Sequence, residues 1–201
     1  MVLKTKIAVL CSGSGTNFQA LINAWQAGDF ADGEIALLIA SRKRIQAIER
    51  AAAHNIPALV IRRKDFETAE AYDEAFRLEL EKHCIDLVVT AGFLQILGAK
   101  TLEAYKDRII NVHPSLIPSF CGMGFYGLKV HQAALEYGVK LSGATVHIVN
   151  HVVDGGRILL QKAVEVQPDD SPETLQRRVM EEAEWVILPK AVAMFCREGG
   201  F

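Results

Sequence analysis

The chain has 201 residues, room for one large domain with small additions. Half of the residues are hydrophobic and 23% are charged, the balance of a globular α/β protein and not of a disordered or fibrous one. A net charge of -2 gives no electrostatic reason to expect nucleic acid as a partner. Cys11, Cys84, Cys121 and Cys196 lie far apart without a Cys-x-x-Cys pair. That spacing argues against a zinc site or a disulfide framework and fits a reducing compartment. No signal peptide opens the chain, and the apolar stretch Ile7 to Cys11 is too short to span a bilayer. The expectation is a cytoplasmic protein with no membrane partner.

In chain order, Ile7 to Leu10 reads as a buried strand that stops at the glycine-containing Cys11-Ser-Gly-Ser-Gly-Thr-Asn17. Phe18, Leu21, Ile22 and Trp25 then form a helical stripe with Gly28 as its stop. Strand and helix continue to alternate: Ile35 to Ala40, Ile45 to His54, Ala58 to Ile61, Thr68 to His83, Leu87 to Ala91, Gly98 to Tyr105 and Ile109 to Val112. This rhythm predicts a doubly wound, open, mostly parallel sheet. After His113 it breaks. Pro114 to Gly127 is a long loop with three glycines, two prolines and Phe120, Phe125 and Tyr126, a length more typical of a functional segment such as a lid. A helix, Lys129 to Tyr137, and two strands, Leu141 to Val149 and Ile158 to Val164, follow as an antiparallel C-terminal extension. Ser171-Pro-Glu-Thr174 has capping chemistry and opens a terminal helix to about Arg197. Without repeats or linkers, the chain reads as one domain, with a phosphate-binding half over about 1–100 and a catalytic half over about 101–201.

The turn at Gly13 to Asn17 sits between a strand and a helix, where backbone N–H groups gather beside a helix N-terminus as an anion site. Gly13 and Gly15 admit close approach, while Ser14, Thr16 and Asn17 add side-chain donors. A dinucleotide fingerprint is not met, because Phe18 stands where its third glycine belongs and Ala40-Ser41-Arg42 lacks the ribose-binding acid. No Gly-Lys-Ser/Thr follows, which excludes a P-loop. A single phosphate fits best.

Asn111 and His113 sit two positions apart at a strand end and so share a face, and Pro114 stops the strand where they emerge. An imidazolium and a carboxamide can together stabilise the oxyanion of a tetrahedral intermediate. Asp154, on a glycine turn, can favour the imidazolium and accept the proton of an attacking amine. No protein nucleophile is required. His147 shares a strand face with Thr145 and Val149 and either lines the site or packs. A metal held by His113, His147 and Asp154 has no His-x-x-x-His or Cys pair to support it, so no metal is expected. The loop at 13–17, Gly92-Phe93-Leu94 and Asn111/His113 all follow predicted strands, and carboxyl ends of strands are where such sheets bind ligands.

Taken together, Ser12-Gly-Ser-Gly-Thr-Asn17, Ala91-Gly-Phe-Leu94, Asn111-Val-His-Pro-Ser-Leu-Ile-Pro118, Gly143-Ala-Thr-Val-His147, Asp154-Gly-Gly156 and Glu184 ahead of Pro189 resemble the phosphoribosylglycinamide formyltransferase family over nearly the whole chain. The resemblance implies a Rossmann-like formyltransferase fold and formyl transfer from 10-formyltetrahydrofolate to the amine of glycinamide ribonucleotide in purine synthesis, without a metal. It implies Asn111, His113 and Asp154 as the catalytic trio. It also implies Gly13, Ser14, Gly15, Thr16 and Asn17 for the ribonucleotide phosphate and Glu184 for the ribose hydroxyls. For the folate it implies Gly92, Leu94, Gln95, Ile96 and Leu97 with Asn111. Gln95 stands where some relatives carry Arg, and Ala69 where some place a basic residue; Arg62, Arg63 and Lys64 are the nearby substitutes. The partners implied are the two small substrates, with the protein a monomer or homodimer.

Among alternatives, methionyl-tRNA formyltransferase calls for an added carboxyl-terminal tRNA-binding domain and a basic surface. Formyltetrahydrofolate deformylase usually carries an amino-terminal regulatory domain, whereas the phosphate loop here begins almost at residue 1. A non-catalytic folate- or nucleotide-binding regulator has no need of a paired His and Asp.

Overall fold

A computed structural model describes residues 4–201. The strands are β1 (Thr5–Cys11), β2 (Gly33–Ala40), β3 (Ala58–Val60), β4 (Leu87–Thr90), β5 (Ile109–His113), β6 (Leu141–Ile148) and β7 (Ile158–Glu165). They form a seven-stranded sheet in the order β3-β2-β1-β4-β5-β6-β7. β1 pairs in parallel with β2 and β4, and β2 with β3, while β6 and β7 are antiparallel. The helices are α1 (Thr16–Gln26), α2 (Gln46–Ala53), α3 (Ala69–Lys82), α4 (Ala99–Ala104), α5 (Leu128–Tyr137), α6 (Pro172–Val179) and α7 (Trp185–Glu198). The α/β rhythm of the sequence and its antiparallel extension are both present. Among the described residues, no helix is long and apolar enough to cross a membrane.

Two compact units divide the chain, one running to Ile110 and taking back Val192–Phe201, the other being Asn111–Ala191. In the first, Ile7 to Leu10 and Leu87 to Val89 are fully buried, as strands covered on both faces must be. Phe18, Leu21 and Ile22 of α1 and Tyr72, Phe76 and Leu80 of α3 turn their apolar stripes inward. The strand order reverses at β1 and β4, the place where doubly wound sheets open a crevice for ligands. The loops after these two strands are 12–15 and 91–98.

In the second unit, β6 is almost wholly buried and β7 is a largely exposed edge strand carrying Gln161, Lys162 and Glu165, polar chains that discourage edge-to-edge pairing. The sequence predicts one terminal helix over 171–197. The structure instead shows α6, a π-helical turn at Met180–Glu184, and α7. Ser171 and Thr174 form the expected capping box, with Pro172 in the first turn. Pro189 inside α7 has no N–H for the carbonyl four residues back, and its ring crowds that carbonyl; the wider π turn lies directly upstream.

Candidate active site

β5 delivers Asn111 and His113 to its carboxyl end, and His113 is only 4% exposed. Its Nε2–H donates to the Phe120 carbonyl at 2.9 Å, and Nδ1 lies 3.5 Å from Asp154 Oδ2. Both ring nitrogens thus face oxygen atoms. Asp154 adopts a left-handed conformation with φ 55°, which Asp tolerates better than most residues. The turn beyond it can close because Gly156 lacks a Cβ, which would overlap the Ile148 carbonyl.

The Asp154 carboxylate accepts the Gly122 N–H at 2.8 Å through Oδ2, while Oδ1 faces His147 Nε2 at 3.7 Å. Burial by itself would raise its pKa. His147, the Gly122 N–H and the charge of His113 outweigh burial and hold the carboxyl below its ordinary 3.8. Asn111 Nδ2 lies 3.1 Å from His147 Nε2, and His147 Nδ1–H donates to the Ile148 carbonyl at 2.9 Å. The structure therefore brings Asn111, His113 and Asp154 together and adds His147 to them.

Two local features hold this cluster. The register of β6 against β7 shifts between Val146 and His147, with Leu159 of β7 left over opposite the imidazole-bearing residue. Thr145, fully buried, donates to the Ser115 carbonyl at 2.7 Å and accepts the Ile117 N–H at 3.1 Å, which pins the turn after Pro114. The long loop after His113 is tied to the cluster through its main chain, by the Phe120 carbonyl and the Gly122 N–H. Cys121 lies on that loop with its thiol pushed up by burial and by the charge of Asp154, the opposite of an activated nucleophile.

In the first unit, the residues after β1 and β4 are joined by Ser12. Its N–H donates to the Gly92 carbonyl at 3.1 Å, and its hydroxyl oxygen accepts the Leu94 N–H at 2.8 Å and the Ser41 hydroxyl at 2.7 Å. Gly15 caps α1 in the left-handed region, with no side-chain cap and no acidic residue in the first turn. A Cβ there would stand 2.8 Å from that of Ala47, so glycine is required both by φ and by the packing of α2. Around Gly13 the same construction meets nothing within 4 Å, leaving the backbone approachable. In the segment after β4, Phe93 packs edge-on against Phe76 with centroids 5.7 Å apart, while Leu94 and Ile96 stay 51% and 68% exposed. Asp73 of α3 holds the far end, accepting from Gly98 N–H at 3.1 Å, Lys100 N–H at 2.8 Å and the Thr101 hydroxyl at 2.5 Å.

Residues 5–192 match the family model described as formyl transferase. The chain belongs to the formyl transferase family. This family member is 37% identical to the chloroplastic phosphoribosylglycinamide formyltransferase of Arabidopsis thaliana, over 97% of its own length and 66% of that protein's. It is 37% identical to the phosphoribosylglycinamide formyltransferase of Bacillus subtilis (strain 168), over 87% of its length and 86% of that protein's. Its fold superposes on the crystal structure of glycinamide ribonucleotide transformylase 1 from Symbiobacterium toebii with a TM-score of 0.91 and 38% identity, covering 97% of this chain and 89% of that one. The chain spans only 14% of the trifunctional purine biosynthetic protein adenosine-3 of Drosophila melanogaster, which it also matches.

The remaining residues singled out from the sequence fall as follows. Gly13 to Asn17 form the turn from β1 into α1, and Gly92 to Leu97 follow β4. Glu184 ends the π turn and is 6% exposed. Arg62 is engaged by Asp65 at 2.6 Å through two nitrogens, and Arg63 by the Phe66 carbonyl, so of the three nearby cations these two already have partners. Among the described residues, no group of three or more His, Cys, Asp or Glu is arranged to hold a metal ion. Sequence reasoning left His147 undecided and passed over Ser12's bridging hydroxyl and the main-chain groups of Phe120 and Gly122. The alternation of β6 carried a signal for His147; main-chain groups carry none.

Proposed function

We propose that this protein transfers the formyl group of 10-formyltetrahydrofolate to the primary amine of glycinamide ribonucleotide. The observation that carries the reading is the joined cluster of Asn111, His113 and Asp154 with no activated nucleophile beside it. Relatives bearing that activity in their names support it.

The ribonucleotide amine attacks the formyl carbon. A C–N bond forms, the carbonyl π pair moves to oxygen, and the tetrahedral oxyanion accepts from the His113 imidazolium and the Asn111 amide. Because the Phe120 carbonyl holds Nε2–H at 2.9 Å, the proton offered to the oxyanion is Nδ1–H, shared with Asp154 across a looser 3.5 Å. Asp154 keeps the imidazolium charged and takes the proton released by the attacking nitrogen, directly or through water. Collapse expels the folate N10, which takes up that proton, so the enzyme ends as it began.

The proposed acceptor contacts are Gly13, Ser14, Gly15, Thr16 and Asn17 for the phosphate and Glu184 for the ribose. Gly92, Leu94, Gln95, Ile96 and Leu97 with Asn111 are assigned to the folate; the solvent-open side chains of Leu94 and Ile96 suit a flat aromatic ring. The two contact units are read as parts of a single functional domain, working as a monomer or homodimer in the cytoplasm with no nucleic acid partner. The test is to mix the protein with 10-formyltetrahydrofolate and glycinamide ribonucleotide and follow folate absorbance. Donor consumption that depends on the ribonucleotide is expected. Formate release without it would reassign the protein as a formyltetrahydrofolate deformylase, and no consumption would leave a binding regulator.

A further inference from the structure

A loop that binds an anion through its main chain must keep its own carbonyls out of the way. In a trans peptide the C=O and the following N–H point to opposite sides, so whatever holds the carbonyl aims the N–H. Here α2 does the holding. The Gly13 carbonyl accepts the Ala47 N–H at 3.4 Å, which turns the Ser14 N–H away from α2. The Ser14 carbonyl accepts Arg50 Nε–H at 2.9 Å, which turns the Gly15 N–H the same way. The Gly15 carbonyl is spent inside α1 on Gln19 N–H at 2.9 Å.

Arg50 itself is fixed. Its Nη1 donates to Gln19 Oε1 at 2.9 Å, and Gln19 Nε2 in turn donates to Asn23 Oδ1 at 3.0 Å. A guanidinium gripped at two nitrogens keeps its plane and polarises the peptide whose carbonyl it holds. Among the described residues, no carboxylate forms an ion pair with it. The charge therefore stands uncancelled behind a loop that opens a helix N-terminus.

We propose that Arg50 is the positioning residue of the phosphate loop: it sets the Gly15 N–H for a phosphomonoester and supplies the fixed positive charge behind it. This rests on the reading that the loop takes the acceptor's phosphate. Arg50 touches no reacting atom, so it governs acceptor affinity and not the chemical step.

The test compares wild type with Arg50→Lys and Arg50→Ala, using glycinamide ribonucleotide and its dephosphorylated riboside as alternative acceptors. Expected for Arg50→Ala is an acceptor KM raised about tenfold or more, with kcat and donor KM within about twofold. The preference for the phosphorylated acceptor should shrink by the same factor. Arg50→Lys keeps the charge but loses the planar fork, so its KM should fall between the two. A merely structural role would raise both acceptors' KM alike, or raise donor KM equally, and either result overturns the proposal. If Arg50→Ala fails to fold, Arg50→Lys alone decides: an unchanged phosphate preference refutes the idea. Wild type that does not distinguish the two acceptors would instead refute the phosphate-loop reading itself.

Discussion

His131 makes the protein acid-sensitive in a calculable way. It lies in α5 with no exposed surface, and neither ring nitrogen has a hydrogen-bond partner among the described residues. Burial first, and the positive charge of His113 second, push its pKa from 6.5 down to about 4. The depressed value means the folded state resists a proton that the unfolded chain accepts. Above pH 6.5 the ring is neutral in both states and its titration costs nothing; from there down to about pH 4 stability is progressively lost, and below that the full penalty applies. At roughly 1.4 kcal/mol per unit, the loss is about 3 kcal/mol, a large part of a typical domain's stability. Urea unfolding of wild type and His131→Leu at half-unit steps from pH 7.5 to 4 measures it. Carboxylates titrate in both proteins, so the difference between them isolates the histidine. His131→Leu should be at least as stable as wild type at pH 7, because it removes unsatisfied polar atoms from the interior, and should gain about 3 kcal/mol relative to it by pH 4. A difference that stays constant with pH would refute the reasoning.

Asp154→Asn should lower kcat by about a hundredfold or more while changing acceptor affinity by less than about threefold, as read by steady-state kinetics and calorimetric titration. The folded pKa of Asp154 lies below 3.8, so its contribution to stability is present above that value and is lost only as pH falls through the depressed one. Gly15→Ala forces a side chain into the left-handed region and against Ala47; thermal denaturation should show a loss of about 1–3 kcal/mol together with weakened acceptor binding. Asp73→Ala strips the partners from Gly98, Lys100 and Thr101, and should cost about 2–3 kcal/mol and raise donor KM more than acceptor KM, since the segment it anchors follows β4.

The chain order of elements, the parallel character of β1, β2 and β4 and the antiparallel ending at β6 and β7 were legible in the sequence. They follow from local hydrophobic period and from glycine and proline punctuation. That Asn111 and His113 share one face at the end of β5 was legible too, because strand alternation and a proline stop declare where polar side chains emerge. Tertiary structure alone decided that His113 Nε2–H goes to the Phe120 carbonyl, because main-chain partners leave no trace in residue type. It alone decided that Arg50, thirty-six positions from Ser14, holds the loop's carbonyl, because α2 reaches that loop only once β1 and β2 have paired. The π turn that ends at Glu184 likewise belongs to the fold, for helical periodicity cannot register a single inserted residue. Local pattern encodes which face a side chain takes; the partner it meets there is settled by long-range pairing of the strands.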